Sequence, residues 1–256
     1  RLAVSHLNCI NHDGVKILDD ITFTARSGEI LGIAGISGCG QKELLEAIAG
    51  LQHPVEGSRI DYIEPRTGTP ESLIGKTPRE IKELGITLSF VPEDRLGMGL
   101  VASMGMADNM MLKSYEKGKS IFVEKTDPKK LAEDVKEELS VSTPGINTPV
   151  RRLSGGNVQK VLVGREIAAA PSVLMTAYAV RGLDINTSYM IYHLLNEQKE
   201  KGVAVIYVGE DLDVLIDLCD RILVLCAGQV TGIVNGGEVT KEQLGLLMTK
   251  ISGGKE

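Results

Sequence analysis

The stretch at residues 153–160, Leu-Ser-Gly-Gly-Asn-Val-Gln-Lys, opens an apolar run that continues to Ala170, just before Pro171. Ser154 belongs to the residue types that cap helices, and the two glycines after it leave the first amides of the predicted helix uncovered. Bare amides at the positive end of a helix dipole can bind an anion. An ordinary capped helix explains the stretch equally well by itself, so its interpretation depends on the segments around it.

A second glycine-rich stretch lies at residues 35–42, Gly-Ile-Ser-Gly-Cys-Gly-Gln-Lys. The apolar run at residues 30–34 predicts a strand that ends in this loop, and residues 41–49 predict the helix that follows it. Strand, glycine-rich loop and helix in this order are the context that a phosphate-binding loop requires. The candidate loop residues are Gly35, Ser37, Gly38, Cys39, Gly40, Gln41 and Lys42.

The remaining pattern predicts an α/β fold, because short apolar runs alternate with helical segments in the rhythm of a parallel sheet covered on both faces. These runs are residues 86–91, 173–176, 204–208 and 222–225. The other predicted elements are paired strands at residues 2–7 and 16–23, a strand at 60–63, a surface insertion at 64–76, helices at 77–84 and 127–139, and a last strand and helix after residues 227 and 240.

A third stretch, residues 173–184, ends in Arg-Gly-Leu-Asp. In their order along the chain, the three stretches resemble the phosphate loop, the signature motif and the Walker B/D-loop segment of ATP-binding cassette (ABC) ATPases. Val-Pro-Glu-Asp-Arg at residues 91–95 stands where such cassettes carry the Q-loop. With Leu-Ser-Gly-Gly-Asn, these motifs are similar to the ATPase subunits of bacterial sugar and nucleoside importers. Residues 38–44 resemble the second cassette of the nucleoside-type (BmpA-associated) members.

The resemblance implies an ABC ATPase fold of the P-loop NTPase type, with a central, mostly parallel sheet, an antiparallel β subdomain and an inserted helical subdomain. One nucleotide-binding domain is expected to occupy residues 1–256. Its core and β subdomain would take residues 1–94 and 161–250, the helical subdomain residues 95–160, and residues 251–256 would form a frayed tail.

The resemblance also implies ATP as the cofactor and two kinds of partner. One is an intact cassette, expected in the first half of the same polypeptide, and the other is a pair of transmembrane permease subunits. The chain would then lie in the cytoplasm, on the inner face of the membrane. In ABC dimers each ATP lies between one cassette's phosphate loop and the other's signature. Ser154, Gly155, Gly156 and Asn157 would therefore contact the partner's ATP, with Asp184 at the dimer seam.

The chain departs from the active family pattern in its own phosphate loop. An active loop carries lysine at position 41, to neutralise the β- and γ-phosphates, followed by a hydroxyl that ligates Mg²⁺. Gln41 is neutral, and Lys42 places a cation where a metal ligand belongs. Weak nucleotide binding with little Mg²⁺ dependence is expected there, and a vestigial loop kept only for folding is the alternative.

The catalytic positions depart as well. Ala177 replaces the aspartate that holds hydrated Mg²⁺, and Tyr178 replaces the catalytic glutamate although a phenol is no base at neutral pH. Glu93 replaces the Q-loop glutamine, and Glu210 replaces the switch histidine. Each loss would cost roughly two to four powers of ten in rate, so hydrolysis at this site is expected to be negligible. His12 is a candidate for the adenine-stacking position, with a solvated turn residue as the alternative.

Residues 92–109 correspond to the segment that holds a permease helix in ABC transporters. Glu93, Asp94 and Arg95 place three charges at the exit from the predicted sheet. Met104 and its neighbours Leu100, Val101 and Met106 are expected to offer apolar surface for docking. The alternative is a solvated charge run beside an ordinary core.

Composition excludes several other classes. A net charge of −6, a pI near 5.4 and the absence of Trp argue against a nucleic-acid partner. No apolar run approaches the roughly 20 residues of a spanning helix, and four cysteines without metal spacing indicate reduced thiols. The start at Arg1 is expected of a piece of a longer protein. Competing functions are a weakly active ATPase, a stand-alone nucleotide-binding regulator, and an SMC-type DNA-maintenance head, which would need a coiled-coil insertion that this chain lacks.

Overall fold

The computed structural model describes residues 1–11, 13–113 and 126–249. The strands are β1 (Leu2–Ile10), β2 (Lys16–Ala25), β3 (Glu29–Gly35), β4 (Arg59–Ile63), β5 (Pro70–Ser72), β6 (Leu88–Val91), β7 (Val173–Ala177), β8 (Ala204–Val208), β9 (Arg221–Cys226) and β10 (Gln229–Asn235). The helices are α1 (Gln41–Ile48), α2 (Pro78–Glu83), α3 (Met106–Met111), α4 (Thr126–Glu138), α5 (Gly155–Ala168), α6 (Ile185–Glu200), α7 (Leu212–Leu218) and α8 (Lys241–Thr249). A π-helical turn occupies Arg95–Gly99.

The strands form two sheets. The smaller sheet has the order β2-β1-β4-β5 and is antiparallel throughout. The larger sheet has the order β10-β9-β3-β8-β7-β6 and is parallel except for β10, which pairs antiparallel with β9. This arrangement confirms the α/β fold with a mostly parallel sheet and an antiparallel β subdomain.

The central strands are buried on both faces, because successive side chains of a strand point to opposite sides. In β3, Leu31 and Ile33 belong to the core between the two sheets, whereas Ile30 and Ala34 pack on the opposite side, where most of the helices lie. In β8, Ile206 and Tyr207 divide in the same way. The large sheet is therefore the middle layer of the molecule.

The parallel strands place the candidate site at one edge of the large sheet. The glycine-rich loop follows β3, Glu93 follows β6, Tyr178 follows β7 and Glu210 follows β8. Because neighbouring parallel strands end at the same edge, residues far apart in sequence meet there.

Helix α5 connects this edge to the rest of the molecule. It packs against α4 so closely that a Cβ on Gly164 would lie 2.6 Å from a methyl of Val135. Its buried Glu166 accepts a hydrogen bond from Lys113 Nζ at 2.9 Å and from Arg165 at 2.8 Å. Arg165 also donates to the carbonyl of Gly99 at 2.6 Å, so α5 is tied to the π-helical turn and to the end of α3.

Most predicted elements are confirmed, including the Thr77–Glu80 capping box at the start of α2. The surface insertion predicted at residues 64–76 is wrong in part, since β5 lies within it and pairs with β4. Helix α5 runs past residue 160, where the helical subdomain was predicted to end. The predicted frayed tail lies outside the described residues. Over the described ranges, no helix is both long and apolar enough to cross a bilayer.

Candidate functional site

The signature turn forms the amino-terminal end of α5, as the sequence predicts. The Ser154 hydroxyl caps the helix and accepts hydrogen bonds from the Asn157 amide at 3.5 Å and from its side-chain nitrogen at 2.9 Å. Ser154 and Gly155 are exposed. The side-chain oxygen of Asn157 is engaged within the chain, because it accepts from the Ser142 amide at 2.9 Å. Ser154 and the two glycines therefore present the open face of the turn.

Asp184 lies beside this turn. Its carboxylate caps α6 and accepts hydrogen bonds from the Thr187 amide at 2.9 Å and the Thr187 hydroxyl at 2.7 Å. These two donors hold the pKa of Asp184 below its ordinary value. A Cβ on Gly156 would be in van der Waals contact with a carboxylate oxygen of Asp184, at 3.7 Å, so the signature turn and the start of α6 lie side by side.

The glycine-rich loop connects β3 to α1 as predicted. Gly38 and Gly40 have φ angles of +86° and +97°, which are left-handed conformations that favour glycine. A Cβ on Gly40 would also lie 2.9 Å from the carbonyl oxygen of Ile17. Ser37 is exposed and Cys39 is half-buried. The loop therefore retains the backbone shape of an anion-binding loop.

The side chains of the first two residues of α1 do not supply the positive charge that an anion-binding loop needs. Gln41 is only 2 % exposed, and its amide nitrogen donates back to the loop carbonyl of Ile36 at 3.2 Å. Lys42 extends along α1, where its ammonium lies 3.6 Å from a carboxylate oxygen of Glu46. Gln41 thus supplies no positive charge to the loop, and the charge of Lys42 is shared with a neighbouring acid.

The Walker B positions lie at the end of β7. Ala177 is buried and carries no group that could ligate a metal. Tyr178 has a φ angle of +52°, and its amide donates to the carbonyl of Val208 at 3.0 Å. Burial, followed by the charges of Glu210 and Glu93, raises the pKa of the Tyr178 phenol above its ordinary value. The phenol is therefore protonated at neutral pH.

Arg181 forms ion pairs with both Glu93 and Glu210, and the sequence analysis did not predict these contacts. Its Nη1 lies 2.5 Å from Glu93 Oε1 and its Nε lies 3.4 Å from Glu210 Oε1. Its guanidinium also lies 5.8 Å from the centre of the Tyr178 ring. We call Arg181, Glu93 and Glu210 the arginine cluster. The sequence indicated Arg181 only as part of the Arg-Gly-Leu-Asp motif.

Glu43 is a second residue that the sequence analysis missed. It lies in the first turn of α1, and its charge contributes to the raised pKa of Tyr178. Its position two residues after Gln41 was a usable signal, because a carboxylate there brings negative charge to a loop that would hold phosphate. The described residues include no group of three or more His, Cys, Asp or Glu that could hold a metal ion.

The predicted docking segment follows β6, and the structure corrects part of it. Leu100 and Met106 are only 3 % and 0 % exposed, so they belong to the core and offer no surface. Both side chains belong to the core cluster that also contains Val161 and Leu162 of α5 and Ala132 and Val135 of α4. Met104 is half-buried, and Val101 is exposed. Asp94 accepts a hydrogen bond from the Gly97 amide at 2.8 Å and starts the π-helical turn.

A groove of about 650 Å³ lies beside this segment. It was missed because its walls come from separate elements, α2, β6, α3 and α5. Its lining includes Pro92 and Met98 of the docking segment, together with Phe90, Met110 and Leu112. His12, the candidate for adenine stacking, lies outside the described residues.

The sheet order, the loop after β3 and the signature turn together define an ABC ATPase cassette fold. The chain belongs to the ABC transporter family, whose model matches residues 18–176. The fold is similar to that of MJ0796, a dimeric bacterial ABC transporter cassette, with a TM-score of 0.78 and 20% identity over 92% of this chain and 98% of the other. MJ1267, an ABC transporter cassette in its ADP conformation, gives a TM-score of 0.72 and 20% identity over 97% and 94% of the two chains.

Among curated proteins, the guanosine import ATP-binding protein NupO of Bacillus subtilis is 36% identical over 96% of this chain and 47% of its own length. The nucleoside import ATP-binding protein NupA of Lactococcus lactis is 35% identical over 96% and 48%. The xylose import ATP-binding protein XylG of Moorella thermoacetica is 34% identical over 99% and 49%. The chain therefore spans about half the length of these relatives.

Proposed function

We propose that this chain is a nucleotide-binding cassette of a bacterial ABC importer for sugars or nucleosides. Its own ATP site does not hydrolyse ATP, and its signature turn serves the ATP site of an intact partner cassette. The observation that carries the proposal is the contrast between the open, correctly capped signature turn and the arginine cluster at the chain's own site.

The residues at the chain's own site do not fit Mg²⁺-ATP chemistry. Gln41 is turned back into the loop, and Ala177 offers no metal ligand. Glu43, Glu93 and Glu210 bring carboxylates to a place where an active cassette stabilises phosphate. Arg181 is already engaged by two of them. A γ-phosphate would meet uncompensated negative charge there, so no hydrolytic step is assigned to this site.

The signature turn fits an anion. Ser154 and the amides of Gly155 and Gly156 lie at the amino-terminal end of a 14-residue helix, where the helix dipole favours negative charge. In the assembled protein these groups would contact the γ-phosphate of ATP held by the partner's phosphate loop. They would stabilise the charge that develops on that phosphate during hydrolysis.

The partner cassette is proposed to lie in the same polypeptide. Support comes from the curated import proteins, which are about twice as long as the region that they share with this chain. Assembly with a permease would hold the cassette pair on the cytoplasmic face of the membrane. A stand-alone nucleotide-binding regulator has no specific observation in its favour.

The permease is proposed to dock at the groove beside residues 92–109. Met98 lines the groove and is 46 % exposed, and Val101, in the adjoining segment, is 38 % exposed, so both offer apolar surface to a partner. Glu93 and Asp94 are exposed at its rim. Apolar anchors with a charged rim suit the docking of a short amphipathic helix.

Turnover measurements test the catalytic proposal. The chain alone is expected to release no phosphate from ATP above buffer, and addition of an intact partner cassette is expected to give turnover. Ser154→Arg should abolish that turnover, because its bulk fills the phosphate contact. Ser72→Arg is the matched control, since Ser72 is exposed on β5 in the other sheet. Phosphate release by the purified chain alone would overturn the proposal.

Permease binding tests the docking site. Met98→Asp should weaken capture of the permease while leaving the fold and the partner cassette's binding intact, because Met98 lines the groove and is 46 % exposed. Met104→Asp, in the adjoining docking segment, should have the same effect. Leu246→Asp is the control, because Leu246 is 70 % exposed on α8 and does not line the groove. Circular dichroism checks folding of all three variants. Undiminished capture by folded Met98→Asp and Met104→Asp would place the membrane contact elsewhere.

A further inference from the structure

Arg181 lies where three loops meet. Its own loop follows β7, Glu93 follows β6, and Glu210 follows β8. Its guanidinium reaches both carboxylates, at 2.5 Å and 3.4 Å, and lies near the ring of Tyr178. One side chain thus connects the Q-loop position, the Walker B position and the switch position.

The backbone of Arg181 extends this connection to the signature turn. Its carbonyl oxygen accepts a hydrogen bond from Arg95 Nη2 at 2.5 Å. The other terminal nitrogen of Arg95 lies 3.4 Å from the point that a Cβ on Gly155 would occupy. No carboxylate within ion-pair distance of Arg95 was found among the described residues. Arg95 is therefore held mainly by the Arg181 carbonyl, directly against the signature.

We propose that Arg181 is a positioning residue for the ATP site that the signature completes. The ion pairs with Glu93 and Glu210 fix the position of the Arg181 backbone. The Arg181 carbonyl then holds Arg95 against Gly155. Glu93 and Glu210 replace catalytic groups at the chain's own site, and through Arg181 they also orient the signature turn that serves the partner's ATP. This inference rests on the proposed function, in which Ser154, Gly155 and Gly156 face the partner's nucleotide.

A purely stabilising role is a poor explanation for the cluster. The side chains of Arg181 and Glu210 are 53 % exposed and that of Glu93 is 39 % exposed. Ion pairs with that exposure contribute little to folding, because water screens them. They can nevertheless select one loop arrangement, and small displacements of a catalytic contact lower the rate strongly. Turnover should therefore respond to the cluster far more than thermal stability does.

The test uses the complete transporter, in which this chain is assembled with its partner cassette and permease. Arg181→Met is expected to lower kcat for ATP about tenfold while KM changes less than about twofold, since a displaced signature weakens transition-state contacts more than nucleotide binding. Arg181→Lys keeps one charge but loses the planar fork, so it should recover only part of the rate. Arg59→Met is the control, because Arg59 forms an exposed ion pair with Asp61 on the other sheet.

A double-mutant cycle tests the connection through Arg95. Arg95→Met should lower kcat by a similar factor, and the double variant Arg181→Met with Arg95→Met should be no slower than the slower single variant. Melting temperatures should stay within about 2 °C of the parent protein, given the exposure of the pairs.

The inference fails if Arg181→Met leaves kcat unchanged, if its effect is confined to KM, or if the two substitutions act independently. Ser154→Arg, measured in parallel, separates this failure from that of the proposed function. If Ser154→Arg abolishes turnover and Arg181→Met does not, the signature serves the partner but Arg181 does not position it. If Ser154→Arg is also without effect, the proposed function itself is wrong.

Discussion

At the scale of single residues, the most informative side chain is Gln41. It is buried within the loop that would otherwise hold phosphate, and it donates to that loop's own carbonyl. Position 41 is where an active cassette carries its phosphate-binding lysine, and the sequence alone identified the replacement. The direction of the side chain could not be predicted, because it depends on the space left by Gly35, where a Cβ would lie 2.6 Å from the Gln41 nitrogen.

We predict weak nucleotide binding by the chain's own loop, with little dependence on Mg²⁺. Lys42 shares its charge with Glu46, and neither a hydroxyl at position 42 nor a carboxylate at position 177 is present to ligate the metal. Calorimetric titration with ATP should give dissociation constants on the order of millimolar, corresponding to about −4 kcal/mol, that differ less than about twofold between Mg²⁺ and EDTA. Tight binding that requires Mg²⁺ would contradict this account.

The cysteines provide a second residue-scale prediction. Burial raises the pKa of Cys9 to about 11 and raises that of Cys219 as well, whereas Cys39 is half-buried in the glycine-rich loop. Since the thiolate is the nucleophile, iodoacetamide at pH 8 should modify Cys39 and spare Cys9 and Cys219. The neutral Cys9 thiol contributes its stabilisation below its ordinary pKa, and this contribution is lost as pH rises through about 11. Peptide mass spectrometry measures the labelling, with denatured chain as the control, and rapid labelling of native Cys9 would contradict the prediction.

At the scale of elements, local sequence signals predicted most of the fold. Short apolar runs predicted the central strands, and Ser154 and Thr77 predicted helix starts because their side chains satisfy exposed amides. The cap that Asp184 provides for α6 was not predicted. Strand β5 was missed because Pro70 and its polar neighbours have low strand propensity, and β5 forms only by pairing with β4.

The predicted docking surface is a second case in which local sequence signals were not sufficient. Within a glycine-rich segment no periodicity indicates which side chains face inward, so the burial of Leu100 and Met106 could not be predicted. The contact of Arg181 with Glu93 was equally hidden, because the two residues are 88 positions apart and meet only through the parallel order of β6 and β7. Sequence therefore predicted the positions that changed but not the contacts that replaced them.

We predict that Glu166 is the most sensitive ionic position of α5. Its side chain is fully buried, and Glu166→Gln would leave Arg165, itself 7 % exposed, without its carboxylate partner. Breaking a buried pair in this way costs about 3 to 5 kcal/mol of the free energy of unfolding. Chemical denaturation measures the loss. Glu83→Gln, which alters an exposed pair with Arg79 on α2, is the control and should cost about 0.5 kcal/mol or less. Equal losses for the two variants would contradict the role assigned to Glu166.

At the scale of the whole molecule, the loops at the sheet edge depart from the active family pattern, whereas the signature turn retains it. The loops after β3, β6, β7 and β8 meet at one sheet edge, and each carries replacements of the groups that an active cassette uses. The signature turn and Asp184, beside them, keep their helix-capping hydrogen bonds, and we propose that they face the partner cassette. In that proposal the chain is one half of a pair, and its curated relatives are about twice as long as the region that they share with it.

The most direct test measures ATP turnover by the assembled transporter with one of two substitutions. One substitution lies in the signature turn, and the other lies at the chain's own glycine-rich loop. The account predicts that Ser154→Arg lowers ATP hydrolysis at least about a hundredfold, as expected when a transition-state contact is lost. It predicts that Lys42→Ala, at a position where an active cassette could not lose its side chain, leaves hydrolysis within about twofold of the parent. A large loss with Lys42→Ala would indicate hydrolysis at this chain's own loop, and full activity with Ser154→Arg would show that the signature turn does not serve the partner's ATP; either result would contradict the account.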